Sequence, residues 1–244
     1  MRFPRQLAVV AVLVVAAHSV GAAAQSSLAG VVTLLQGSVT ATRTSTAEPV
    51  ELQLRDGVFS DERIATAANG FARILLGGKA IVTMQERSSV QITEELGTST
   101  LAMSEGRIAV AVARELTKTG ELIEIKTPTA LATSRGAVVI AEITKGVTTF
   151  TVVRGLVDAT RVDALTNRPV GPRVMLRANQ QVTIPATGLL RPLAAKPGSV
   201  QRFDTEFQLG NADGAVGSVL PPLPAAPAPA TAKRRPPAAS KRQP

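Results

Sequence analysis

EIKTPTALATSRGAVVIAEITKGVTTFTVVRGLVDAT, residues 124–160, is the stretch whose reading decides the fold. Val138 and Ile140, and again Phe150 and Val152, are spaced by two, the period of a strand with one buried face. The stretch predicts a strand ending at Thr127-Pro128, a short strand, a turn at Ser134-Arg135-Gly136, and a long hairpin with arms at 137–143 and 148–153. A second turn at Arg154-Gly155 leads into a strand over 156–160. Pro128 has no N–H to give to a ladder, so it belongs at a strand end. Gly136 and Gly155 stand where the chain must reverse, and such turns often need positive φ.

Working outward, the same alternation recurs. Upstream strands are predicted at 31–35, 38–43, 50–54, 63–66, 71–76, 79–84, 90–93, 100–103, 107–113 and 121–127, and downstream strands at 173–178 and 181–185. Gln36-Gly37, Asp56-Gly57, Asn69-Gly70 and Gly77-Gly78 supply turn signals between them. Ile108, Val110 and Val112 share one strand face, which suggests a sheet buried against another sheet. Many short strands with no long helical period predict an all-β chain, either a sandwich or a rolled antiparallel sheet. One unit appears three times: an apolar alternating run, a polar residue, a glycine, a second alternating run. It surrounds Gly37, Gly106 and Gly155 at unequal intervals, so it predicts no strict solenoid repeat but either simple glycine-turned hairpins or a duplicated hairpin unit.

The run Thr127-Pro128-Thr129-Ala130, then Arg135-Gly136, then alternating strands closing on Gly155, resembles the FecR-type domain, the periplasmic module named after the ferric-dicitrate sensor. Gly37, Asp56-Gly57, Ile64 to Thr66 and Gly70 to Leu76 extend the resemblance to roughly residues 30–185. Ser134 and Ala137 stand where the family usually has valine and threonine. The resemblance implies a β-domain acting through protein contacts in an envelope signalling relay, in which a cytoplasmic N-terminal segment controls a sigma factor. Here the apolar run already begins at Leu7 and no mid-chain stretch is long enough to span a membrane. The role the resemblance implies is therefore narrowed to an envelope-located binding or scaffold domain.

Residues 1–24 read as a cleaved secretory signal: Arg2 and Arg5, the apolar run from Leu7 to Ala17, then Ala22-Ala23-Ala24. The expected organisation is a signal at 1–24, a β-domain at 25–190, a C-terminal extension at 191–220 and a disordered basic tail at 221–244. Within the extension, residues 199–209 form the one predicted helix after the signal. Ser199 serves as N-cap, with Val200, Phe203 and Phe207 on one face expected to pack on the sheet. The expected location is the periplasm or the exterior.

The 244-residue chain has no Cys, Trp or Tyr, and its single His, His18, lies in the signal. Residues 25–244 therefore lack the imidazole and thiol that triads, cysteine nucleophiles and the usual zinc or copper sites require. Of 27 basic residues, Arg2 and Arg5 leave with the signal and five sit in the tail; the remaining 20 nearly balance all 18 acidic residues. That distribution does not support a nucleic-acid footprint.

Lys118-Thr119-Gly120 lacks the Ser-x-x-Lys partner of a β-lactamase site. Glu94 and Glu95 would face opposite sides of a strand. Glu51, Asp56, Asp61 and Glu62 match no calcium loop, and Lys79 after Gly77-Gly78 lacks the rest of a phosphate loop. No catalytic, cofactor or metal residue is predicted. The candidate interaction residues are Arg135 and Gly136, in a turn between apolar strands, and Lys233, Arg234 and Arg235 in the tail. A guanidinium in such a turn can bind a carboxylate or phosphate, or tie neighbouring strands together. The sequence predicts a non-catalytic exported module with an envelope protein partner. The alternative is a structural protein held to cell wall or anionic membrane by its tail.

Overall fold

A computed structural model describes residues 27–43, 47–185, 187, 190–196, 198, 200 and 201. Its strands, in chain order, are β1 (Leu28–Gln36), β2 (Val39–Thr42), β3 (Pro49–Glu51), β4 (Gly57–Phe59), β5 (Glu62–Thr66) and β6 (Phe71–Leu76). Then come β7 (Ala80–Met84), β8 (Ser89–Glu95), β9 (Thr98–Val112), a single 3-10 turn (Arg114–Leu116), β10 (Leu122–Lys126) and β11 (Ala130–Ser134). Last are β12 (Val138–Thr144), β13 (Val147–Arg154), β14 (Leu156–Val162), β15 (Pro169–Arg177), β16 (Gln180–Ile184) and β17 (Leu193–Ala194).

β9 organises them. Its first part, to Glu105, pairs with β8 and β10; its second part, from Gly106, pairs with β7 and β12. It therefore belongs to two layers at once. Layer 1 runs β4-β1-β6-β7-β9-β12-β13-β16-β17. Layer 2 runs β3-β2-β5-β8-β9-β10-β11-β14-β15. The all-β expectation holds for the described residues. The sheet is mixed rather than purely antiparallel, because β9 and β10 run parallel. The expected helix and tail lie outside the described residues, apart from Val200 and Gln201, which are helical.

The glycine units are present, but they do not form the predicted hairpins. β1 does not pair with β2, nor β13 with β14, and β9 is continuous through Gly106. Each unit carries the chain from one layer to the other. Gly106 has φ +89, and a Cβ there would collide with Ser88 and the Arg87 carbonyl. Gly155 has φ +84, and a Cβ would meet the Gly136 carbonyl and Ala137. Only glycine enters that backbone region without steric cost.

The crossings gather at two opposite ends. At one, Gly37, Asn69-Gly70, Arg87-Ser88 and Gly106 lie side by side. Ala67 N–H donates to the Ser38 carbonyl (3.0 Å) and Arg87 N–H to the Ala67 carbonyl (3.2 Å). Ser88 N–H donates to Thr66 Oγ1 (2.9 Å), and Arg107 N–H donates to Ser88 Oγ (2.9 Å). At the other end, Ser134–Gly136, Gly155 and Ala178-Asn179 make the crossings, with Asn179 N–H donating to the Val152 carbonyl (2.8 Å). The change of end is made along β9 itself: its second part runs from Gly106 to the Gly155 end, where the 3-10 turn leads into β10, which starts beside Thr98.

The central hairpin is as read. β12 and β13 pair through Thr144↔Val147 around Lys145-Gly146, both with positive φ, the geometry of the tight two-residue turn that matches strand twist. The predicted strand at 50–54 is shorter, ending at Glu51. Beyond it, Gln53 N–H donates to the Asp56 carboxylate (2.7 Å), and that turn takes the backbone out of the ladder. Inward residues of both layers form one core, including Ile64, Leu101, Ile125, Ile108 and Phe150, all fully or almost fully buried. Each such side chain contributes about 1.5–3 kcal/mol. Thr127 and Thr129, from the quoted stretch, donate or accept hydrogen bonds at 2.8 Å with Thr148. Thr129 also donates to the Ile184 carbonyl (3.0 Å), so this buried hydroxyl cluster ties layer 2 to layer 1.

Candidate functional site

The second end of the sandwich opens into a cleft of about 940 Å³. One wall is the connection after β9, where Thr117 Oγ1 donates to the Ala113 carbonyl (2.8 Å) and Glu121 N–H to the Lys118 carbonyl (3.0 Å). Lys118 N–H in turn donates to the Glu121 carboxylate (3.1 Å), and Leu122 N–H to the Gly97 carbonyl (2.9 Å). These bonds fix a segment that has only a single 3-10 turn of regular structure. The floor is the outer face of layer 2, where Glu124, Thr133, Asp158 and Met175 lie in register on β10, β11, β14 and β15.

Arg135 and Gly136 stand at the mouth of this cleft, in the crossing from β11 to β12. Gly136 lets the chain pass close to Arg114: a Cβ there would lie 2.7 Å from the Arg114 Cβ. Gly136 N–H donates to Ser134 Oγ (3.3 Å), which turns the backbone and leaves the Arg135 side chain exposed. Arg114 and Arg173 join Arg135 around the opening, all three exposed. Among the described residues, none of the three has a carboxylate within ion-pair distance. Leu156 and Met175, each 55% exposed, add apolar surface beside them. Unpaired guanidinium groups next to exposed apolar side chains can hold carboxylates or phosphates on an otherwise apolar partner.

The other residues singled out from sequence are scattered. Lys79 is buried and faces Glu121 (3.7 Å), a structural pairing beneath the cleft wall rather than a phosphate contact. Lys118, Thr119 and Gly120 line the cleft without any serine nucleophile arrangement. Glu62 is buried, accepting from Arg43 (2.5 Å) and from Phe59 N–H (2.9 Å). Asp61 accepts from Thr93 Oγ1 (2.9 Å), and Glu94 accepts from Ser99 Oγ (2.9 Å). Among the described residues no group of three or more His, Cys, Asp or Glu is placed to hold a metal ion. Lys233, Arg234 and Arg235 lie outside the described residues. Sequence reasoning missed Arg114 and Arg173, because only the topology brings them to Arg135.

Among the described residues, two titrating groups outside the cleft are shifted from their ordinary values. Asp163 accepts from Thr166 N–H (2.7 Å), Thr166 Oγ1 (2.8 Å) and Leu165 N–H (3.2 Å), and these bonds hold its carboxyl below the usual range. Burial lowers the Arg73 guanidinium from its ordinary value. No described helix is long and apolar enough to cross a membrane.

The model of the FecR protein family matches residues 62–158, from the start of β5 into β14. The match includes Arg114 and Arg135 but stops before Arg173. Comparison with curated proteins gives no match. Among solved structures, two crystal structures of a "putative anti-sigma factor" from Parabacteroides distasonis ATCC 8503 are similar. They are 16% and 15% identical with TM-scores of 0.48 each, and the match covers 58% of this chain and 63% of theirs. The chain thus spans less than two thirds of the length of these neighbours.

Proposed function

We propose that the chain is an exported, non-catalytic FecR-type regulatory module that binds an envelope protein through the cleft bearing Arg135. The observation that carries this reading is that Arg114, Arg135 and Arg173, none ion-paired among the described residues, line one cleft of a β-domain that the FecR family model matches over residues 62–158. Regulation rather than catalysis is supported by the FecR-type match and by residues 25–244 containing neither His nor Cys. Export is supported by the signal-like pattern at 1–24. The partner surface that fits such a mouth carries carboxylates beside apolar residues.

The test is in-cell crosslinking and pull-down with residues 25–220 against 25–244. Equal capture of one envelope protein by both forms is the expected result. Capture that needs residues 221–244 and returns wall or lipid material would instead support the structural alternative. That alternative is favoured by the tail's Lys233, Arg234 and Arg235 with no acidic residue nearby.

A further inference from the structure

Layer 1 is apolar on both faces. Its inner side, through Ile74, Val82, Val110 and Val139, meets layer 2. Its outer side carries a second cluster: Leu75 on β6, Ile81 on β7, Ala109 and Ala111 on β9, Val138 and Ile140 on β12. These are the residues that alternation points away from the sandwich, yet Ala109 is 0% and Ile140 1% exposed. A sheet face left to water does not reach such values. The described apolar residues in the cluster all belong to layer 1 itself or, as Ala113, directly follow it. A cover from outside the layer is required. Burial of Arg73, on the same face of β6, agrees.

We infer that residues 199–209 of the same chain are that cover, docked along the outer face of layer 1. The chain leaves the described fold at this layer, since β17 pairs with β16 on its edge and Val200-Gln201 begin a helix. From β17 to β12 is three strand spacings, about 15 Å, and six extended residues can span up to about 20 Å. Val200, Phe203 and Phe207 share one helical face, the spacing that lies along an apolar sheet surface. Asp204 and Glu206 flank Phe203 and Phe207, and Arg73 borders the cluster on the outer face of β6, opposite in charge, while Arg107 on β9 is already paired with Glu142 (3.4 Å). The inference is independent of the cleft, which lies on layer 2. It makes the outer face an interface within the chain, occupied unless something displaces its own C-terminal segment.

The test uses the full chain with Phe203 replaced by the photoreactive analogue benzoylphenylalanine, irradiated and mapped by peptide mass spectrometry. Adducts within one chain to the segments holding Ile81, Ala109 or Ile140 are the expected result. Adducts between two chains, adducts to layer 2, or none would overturn it. As a second reading, Phe203→Asp with Phe207→Asp in the full chain should raise the fluorescence of an apolar-surface dye several-fold while the β-sheet circular dichroism is kept. An unchanged dye signal would also overturn it. Dye binding by the unaltered chain, removed only by anionic lipid vesicles, would assign the face to a membrane surface instead and sink the inference.

Discussion

The two ends of the sandwich use the same device, strands that pass between layers at tight glycine-containing crossings, and differ in what surrounds it. At the Gly106 end the crossings are knitted by hydroxyls: Thr66 and Ser88 satisfy backbone groups that leave the ladders, and both side chains are buried. At the Gly155 end the crossings stand beside an open cleft, and three arginines face solvent without ion partners among the described residues. A bent strand strips hydrogen bonds from its own corner, and those groups must find partners or water. The first end finds them internally and gains rigidity. The second leaves polar and charged groups free for something else. One end of the fold is closed by internal hydrogen bonds; the other is the end where we propose contact.

The largest expected break in this contrast is Gly106→Val. Forcing a β-branched residue into the left-handed region costs about 1–2 kcal/mol, and its collision with Ser88 and Arg87 adds about 1–3 kcal/mol. Urea denaturation should show a loss of several kcal/mol with unchanged slope. Ser88→Ala comes next. It removes the acceptor for Arg107 N–H and a donor to the Arg107 carbonyl, at about 1–3 kcal/mol for buried groups left unpaired. The same denaturation curve measures it.

At the opposite end the expected ranking inverts. Arg135→Glu should shift stability by no more than about 0.5 kcal/mol, as for an exposed residue with no ion partner among the described residues. It should nevertheless lower partner capture by roughly tenfold or more, since it reverses a charge at the mouth. A large stability loss for Arg135→Glu would place the residue among the structural ties and erase the contrast.

The smallest effect expected is at Asp163, in the β14–β15 turn. Its carboxyl is held low by Thr166 and Leu165, so its contribution is present above the ordinary carboxylate pKa and fades as pH falls through the lower folded value. Carbon-detected NMR titration should show the Asp163 carboxyl titrating below the ordinary aspartate value. Asp163→Asn should flatten the acid limb of stability slightly and leave capture untouched.

Much of the fold could be read from residues alone where the information is local. The β12–β13 hairpin was legible because the alternation of both arms sits within one short stretch. The units around Gly37, Gly106 and Gly155 were visible too, but a glycine after a polar residue serves a hairpin and a layer crossing equally well. Which one forms depends on whether the flanking strands find each other or find distant partners, as β1 finds β6 and β2 finds β5. The parallel pairing of β9 with β10 has no local signature at all. The site followed the same rule: Arg135 drew notice because it interrupts apolar strands, whereas Arg114 and Arg173 look like ordinary surface residues until the topology assembles them.

The central claim is that contact belongs to the Gly155 end. The most direct measurement is in-cell pull-down with the full chain carrying Arg135→Glu, beside one carrying Ala68→Glu, an exposed position at the Gly106 end. The account predicts that Arg135→Glu loses the captured protein and Ala68→Glu keeps it. Equal loss from both variants, or capture indifferent to Arg135, would contradict it.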